Sequence, residues 1–167
     1  LDNTDAEGWF GAGMVNYQMN KYDEATIYLL KALEFDGQNT DYWINLGYVY
    51  EEAGKQEEAI KCFRQVVRID PTDLEAWNAF SGLLMSMGEL KEALTWLREA
   101  ITRFPDDKKL ALRIAECHFK LGNKKPGLKF LEIALRKDPG MAREFRRAYT
   151  ESKWDKAIRE IIEKYTK

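Results

Sequence analysis

The sequence has little of what side-chain chemistry usually needs. It holds one histidine, His118, and two cysteines, Cys62 and Cys117, in 167 residues. Two cysteines build neither a disulfide framework nor a zinc site, so a reducing, cytoplasmic setting is expected. Four prolines and eleven glycines are too few for a linker-rich or disordered chain. No apolar run approaches the roughly 18 residues of a membrane-spanning helix. The opening LDNTDAEGWF has no initiator Met, no basic start and no apolar stretch, so it does not read as a signal peptide. It reads as the start of a segment excised from a longer protein. There is no Gly-rich phosphate loop and no HExxH, GxSxG or CxxC pattern. Acidic runs such as YEEAGKQEEA look like solvated helix surface rather than an acid–base pair across a cleft. No enzyme, cofactor or metal is expected.

What is present suits a packed structure. Hydrophobic residues make up 45% and aromatics 13% of the chain, enough for one domain or one compact repeat array. The net charge of -2 hides a split. Residues 1–107 carry 9 Lys and Arg against 20 Asp and Glu, a net of -11; residues 108–167 carry 17 against 8, a net of +9.

A period of 34 residues organises the sequence. Trp9, Trp43 and Trp77 recur at that interval. With repeats at 6–39, 40–73, 74–107 and 108–141, four further columns align. Position 15 holds Asn20, Gly54, Gly88 and Gly122. Position 20 holds Ala25, Ala59, Ala93 and Gly127. Position 27 holds Ala32, Val66, Ala100 and Ala134. Position 32 holds Gly37, Pro71, Pro105 and Pro139. Gly or Asn at position 15 ends one helix, Pro at position 32 ends the next, and small residues let two helices approach. Between these marks the apolar spacing is helical, which predicts helices near 40–53 and 56–69 in repeat two. No stretch shows sustained strand alternation.

Repeat two, with Trp43, Leu46, Gly47, Tyr50, Ala59, Phe63 and Pro71, resembles the tetratricopeptide repeat (TPR) family. Repeats one, three and four depart from the pattern, as with Ala12, Phe80 and Ala111. The resemblance implies an all-α, right-handed superhelical solenoid of antiparallel helix pairs. It covers four full repeats, and a degenerate fifth pair at 142–166 is expected to cap the array. The whole of 1–167 then forms a single array. The absence of a polar helix before Trp9 fits the loss of earlier repeats from this segment.

The resemblance also implies a function. First helices of such repeats line a concave groove through positions 2, 5, 6, 9, 12 and 13. Carried onto this sequence, the groove includes Phe10, Met14 and Tyr17, then Ile44, Asn45 and Tyr48, then Asn78 and Met85. Repeat four adds Lys109, Arg113 and Phe119. Phe10 and Tyr17 are equally suited to packing within the helix stack. The clamp by which some co-chaperones of the family hold a peptide carboxylate is matched only by Lys109 and Arg113 when started from repeat two, and only by Asn45 when started from repeat one, so that ligand is not expected. These two cations, one helical turn apart, remain suited to an acidic side chain or terminus. The expected function is a non-catalytic module that binds a partner peptide or helix in its groove. The alternative is a structural segment of a longer solenoid or a head-to-tail oligomer, to which the charge split lends itself. Nucleic acid and membrane insertion are not expected.

Cys117 and His118 invite a chemical reading that the register opposes. Neighbours on a helix point about 100° apart, whereas a nucleophile and its base must come within hydrogen-bond reach. His118 stands at position 11, where repeat two has Tyr50, so packing is the expected role for both.

Overall fold

The structure, a computed structural model, describes residues 5–149 and 154–166. Among the described residues it consists of ten helices and no strand. They are α1 (Ala6–Gln18), α2 (Tyr22–Phe35), α3 (Thr40–Glu52), α4 (Gln56–Ile69) and α5 (Leu74–Ser86). Then come α6 (Leu90–Arg103), α7 (Lys108–Lys120), α8 (Lys124–Lys137), α9 (Met141–Ala148) and α10 (Lys156–Thr166). The helices follow one another as antiparallel pairs. The contacts divide into two compact units, Leu1–Leu83 and Leu84–Lys167, with the boundary inside α5.

The turn inside each pair follows from one residue. Asn20, Gly54, Gly88 and Gly122 have φ of 57°, 73°, 82° and 77°. Only residues tolerant of the left-handed region stop a helix this way at low cost. The next N–H then folds back on the helix it ended. Lys21 donates to the Asn16 carbonyl at 2.9 Å, Lys55 to Tyr50 at 2.8 Å, Glu89 to Leu84 at 2.9 Å and Asn123 to His118 at 2.8 Å. This closes carbonyls the helix would otherwise leave open.

The starts of α3, α5 and α7 are fixed by a further column. Asn39, Asp73 and Asp107 stand at position 34. Their side-chain oxygens accept from Asp41 N at 3.0 Å, from Ala76 N at 2.9 Å and from Leu110 N at 2.7 Å. Each is an N-cap worth about 1 kcal/mol. The tryptophan column ties helix to loop. Trp43 Nε1 donates to the Gly37 carbonyl at 2.9 Å and Trp77 Nε1 to the Pro71 carbonyl at 3.0 Å. The corresponding acceptor for Trp9, six residues upstream, lies outside the described residues.

In the first unit Ala25, Leu29, Ala32 and Leu33 of α2 share a buried cluster with Tyr42, Leu46 and Val49 of α3. In the second, Leu131, Ala134 and Leu135 of α8 join Met141, Phe145, Trp154, Ile158 and Ile162 of the last pair. Helix α10 lies on α8, reinforced by a Lys164–Glu132 ion pair at 2.7 Å. Both partners of that pair are exposed, as are those of Lys55–Asp23 at 2.8 Å. Such pairs contribute under about 1 kcal/mol, so apolar burial carries each unit. No helix among the described residues is long and apolar enough to cross a membrane.

Candidate partner-binding faces

In the first unit the residues expected in the groove sit beside the α2–α3 core rather than apart from it. Phe10, Met14 and Tyr17 are half-buried against that cluster. Phe10 stacks on Tyr42 with ring centroids 4.8 Å apart. Tyr17 meets Tyr22 at 6.2 Å. Ile44 is half-buried, while Tyr48 is 40% exposed and stands edge-on to Phe63 at 5.3 Å. Asn45 and Asn78 each donate from Nδ2 to a carbonyl one turn earlier, that of Asp41 at 2.7 Å and that of Leu74 at 3.0 Å.

Acidic groups surround these tyrosines. Burial raises the Tyr17 phenol above its ordinary range, and Glu52 of the neighbouring α3 adds to the shift. Burial also raises Tyr48, followed by Glu75 of α5 and Glu51. The face of α1, α3 and the first part of α5 is therefore aromatic with an acidic border. That combination suits aliphatic or cationic side chains.

The second unit differs. Lys109 is exposed, and Arg113, one turn later on α7, is half-buried. Burial lowers the Arg113 pKa from its ordinary value, opposed first by Glu116. Glu116 is itself buried, which pushes its carboxyl up to about 7 against the pull of Lys120 and Arg113. Glu116 stands at position 9, one of the positions expected to face the groove, and is enclosed instead. Met85 is half-buried in the last turn of α5. Phe119, expected in the groove, is only 8% exposed and lies in the core. Its ring meets Phe145 at 5.7 Å and Tyr149 at 5.4 Å, because the fifth helix pair closes over it. The same ring explains Gly127 where other repeats have Ala. A Cβ there would stand 2.8 Å from it.

The tetratricopeptide repeat family models match residues 6–39, 40–73 and 84–151. The chain belongs to the tetratricopeptide repeat family. Members of this family typically serve protein–protein interaction. No curated protein matches the sequence. Solved TPR structures are similar in fold. MamA superposes with a TM-score of 0.75 at 20% identity, covering 96% of this chain and 89% of that one. MamA from Desulfovibrio magneticus RS-1, from residue 41 to its end, gives 0.74 at 16% identity, covering 99% and 94%. YrrB, described as a TPR protein with an unusual peptide-binding site, gives 0.72 at 20% identity, covering 98% and 86%.

The TPR register also settles the Cys–His pair. Cys117 is fully buried, and burial raises its thiol to about 11, so it stays protonated at neutral pH. Cys62 is buried too and rises to about 12. The His118 ring stacks on Phe130 at 6.2 Å, and its Nδ1 is buried without a hydrogen-bond partner among the described residues. Burial, with Arg98 adding to it, lowers the His118 pKa. These are packing residues.

Proposed function

We propose that this chain is a non-catalytic interaction module that binds a segment of a partner protein along the exposed faces of its first helices. Tyr48 carries the reading. It is a large aromatic left 40% exposed beside acidic groups, where a core residue would be covered. Phe10, Met14, Tyr17, Ile44, Asn45 and Asn78 would extend that surface within the first unit. In the second unit Lys109 and Arg113 would hold an acidic side chain or a terminal carboxylate, with Arg113 the better fit for its planar geometry, and Met85 would add an adaptable apolar contact. Phe119 would support this wall from beneath. Family membership and the named peptide-binding site of YrrB favour the same reading.

Peptides selected by display against the wild-type protein provide the test. Tyr48→Ala, or Lys109→Ala with Arg113→Ala, should weaken the selected peptides at least tenfold. Lys61→Ala and Lys129→Ala, on exposed sites of second helices, should leave affinity unchanged. Loss only in the second-helix variants would overturn the reading. The opposite net charges of 1–107 and 108–167 favour one rival, assembly of copies head to tail. Under that reading light scattering would show oligomers that dissociate as salt rises.

A further inference from the structure

The first unit sorts its charges by helix. Helices α1, α3 and α5 carry Glu7, Asp41, Glu51, Glu52 and Glu75 and not one Lys or Arg. The cations of this unit stand on second helices and turns, and several are engaged there. Lys55 is held by Asp23 at 2.8 Å, Lys31 lies over the Trp9 ring at 4.5 Å, and Arg64 over Phe80 at 5.8 Å. Lys21 and Lys55 line a depression at the turns together with Asp23 and Glu24.

The carboxylates around Tyr48 have no such partners. Glu51 and Glu52 follow Tyr48 by one helical turn, so the three share a face of α3. Tyr17 of α1 and Glu75 of α5 flank them. After burial, Glu52 acts most strongly on the Tyr17 phenol and Glu75 on that of Tyr48, and Glu51 acts on both. Glu51, Glu52 and Glu75 are all exposed, and none is in an ion pair with a described residue. Elsewhere Asp23, Asp106, Glu132, Asp138 and Asp155 each hold a lysine. Tyr48 itself is braced edge-on against Phe63.

An occupant of this face has to suit both rings and carboxylates. A purely aliphatic side chain would cover the tyrosines and strip water from carboxylates it cannot pair, and an acidic one would be repelled. A Lys or Arg side chain lays its apolar stem on the rings and brings its charge to the carboxylates. Resting on the reading that the first helices bind a partner segment, we infer that the first unit recognises its partner through a Lys or Arg side chain. That side chain lies across Tyr17 and Tyr48 and is faced by Glu51, Glu52 and Glu75. The occupant is an extended, basic segment of another protein. A second copy of this chain would offer cations from α7 to α10, where Lys108, Lys124, Lys137 and Lys164 are already paired.

The probe is a library of short random peptides displayed on phage, selected on the wild-type protein and sorted by whether Tyr48→Ala releases them. The released peptides should share a Lys or Arg at one position. Replacing it by acetyl-lysine or citrulline, which keep the length and lose the charge, should weaken binding about tenfold by fluorescence anisotropy. The triple variant Glu51→Gln, Glu52→Gln, Glu75→Gln alters exposed sites only and should leave the circular-dichroism melting curve unchanged. It should weaken the parent peptide by a similar factor and bind parent and uncharged peptide equally. The inference falls, and the wider reading stands, if the Tyr48-dependent peptides share no cation. It falls equally if the uncharged peptide binds as well as its parent, or if the triple variant still tells them apart. If no selected peptide depends on Tyr48, the face itself is misplaced and both readings fall. Oligomers that the triple variant dissolves would put a second copy on this face and overturn the choice of occupant.

Discussion

Helices α1, α3 and α7 have the same length, 13 residues, and the same place in the repeat, yet they bury one, four and nine residues. The register makes each of them a helix; the neighbours decide what becomes of its surface. Helix α1 has α2 on one side, and on the other Val15 and Met19 stay exposed among the described residues. Helix α7 is enclosed by α6, α8 and α9. Enclosure extends to polar residues. Glu116 and His118 on α7 are buried, where Tyr48 and Tyr50 at the same repeat positions of α3 are exposed and half-buried. One scaffold thus leaves an apolar edge on its first helix and encloses ionisable groups on a later one.

Glu116 should give the largest effect of any single substitution on α7. Its folded pKa, about 7, lies above the ordinary carboxyl value of 4.5. The folded state therefore holds the proton more tightly, and its stability falls as pH rises from about 4.5 through about 7. Glu116→Gln does not titrate. It should match the wild type at pH 4 and exceed it by about 3 kcal/mol at pH 8, since each tenfold gain in proton affinity is worth about 1.4 kcal/mol. Urea unfolding at the two pH values checks this.

A smaller contrast uses one residue type at one repeat position. Val49 is buried against α2, while Val15 is exposed. Val49→Ala should cost about 2 kcal/mol, since two buried methyl groups are lost and a cavity remains. Val15→Ala should change stability by less than about 0.5 kcal/mol. Equal effects would mean that Val15 is covered in solution.

His118 should give the smallest effect. Burial lowers its pKa, so its contribution is present above the ordinary value of 6.5 and is lost as pH falls below it. His118→Leu removes a buried nitrogen that has no partner among the described residues. It should leave stability at pH 8 unchanged or raise it by up to about 1 kcal/mol, with a larger gain at pH 5.

Much of the fold was legible because it rests on local rules. The position-15 column needed only the preference for positive φ, and Asn20 follows it as the glycines do. The helices expected near 40–53 and 56–69 are Thr40–Glu52 and Gln56–Ile69. The N-caps Asn39, Asp73 and Asp107 are equally legible, as a column of Asn and Asp one residue before α3, α5 and α7. Phe119 and Glu116 were not legible. Phe119 is covered by Phe145 and Tyr149, which α9 and the chain just after it bring onto α7 from outside the 34-residue register, and Glu116 is enclosed on the same helix. The exposure of Val15 was hidden for a similar reason. Its residue type matches Val49, and only the neighbour differs.

If the first helices bind a partner segment and the second helices hold them in place, hydrogen–deuterium exchange with and without a display-selected peptide separates the two sets. Protection should rise in α1, α3 and α7 and stay unchanged in α2, α4 and α8. Protection confined to α2, α4 and α8 would contradict it.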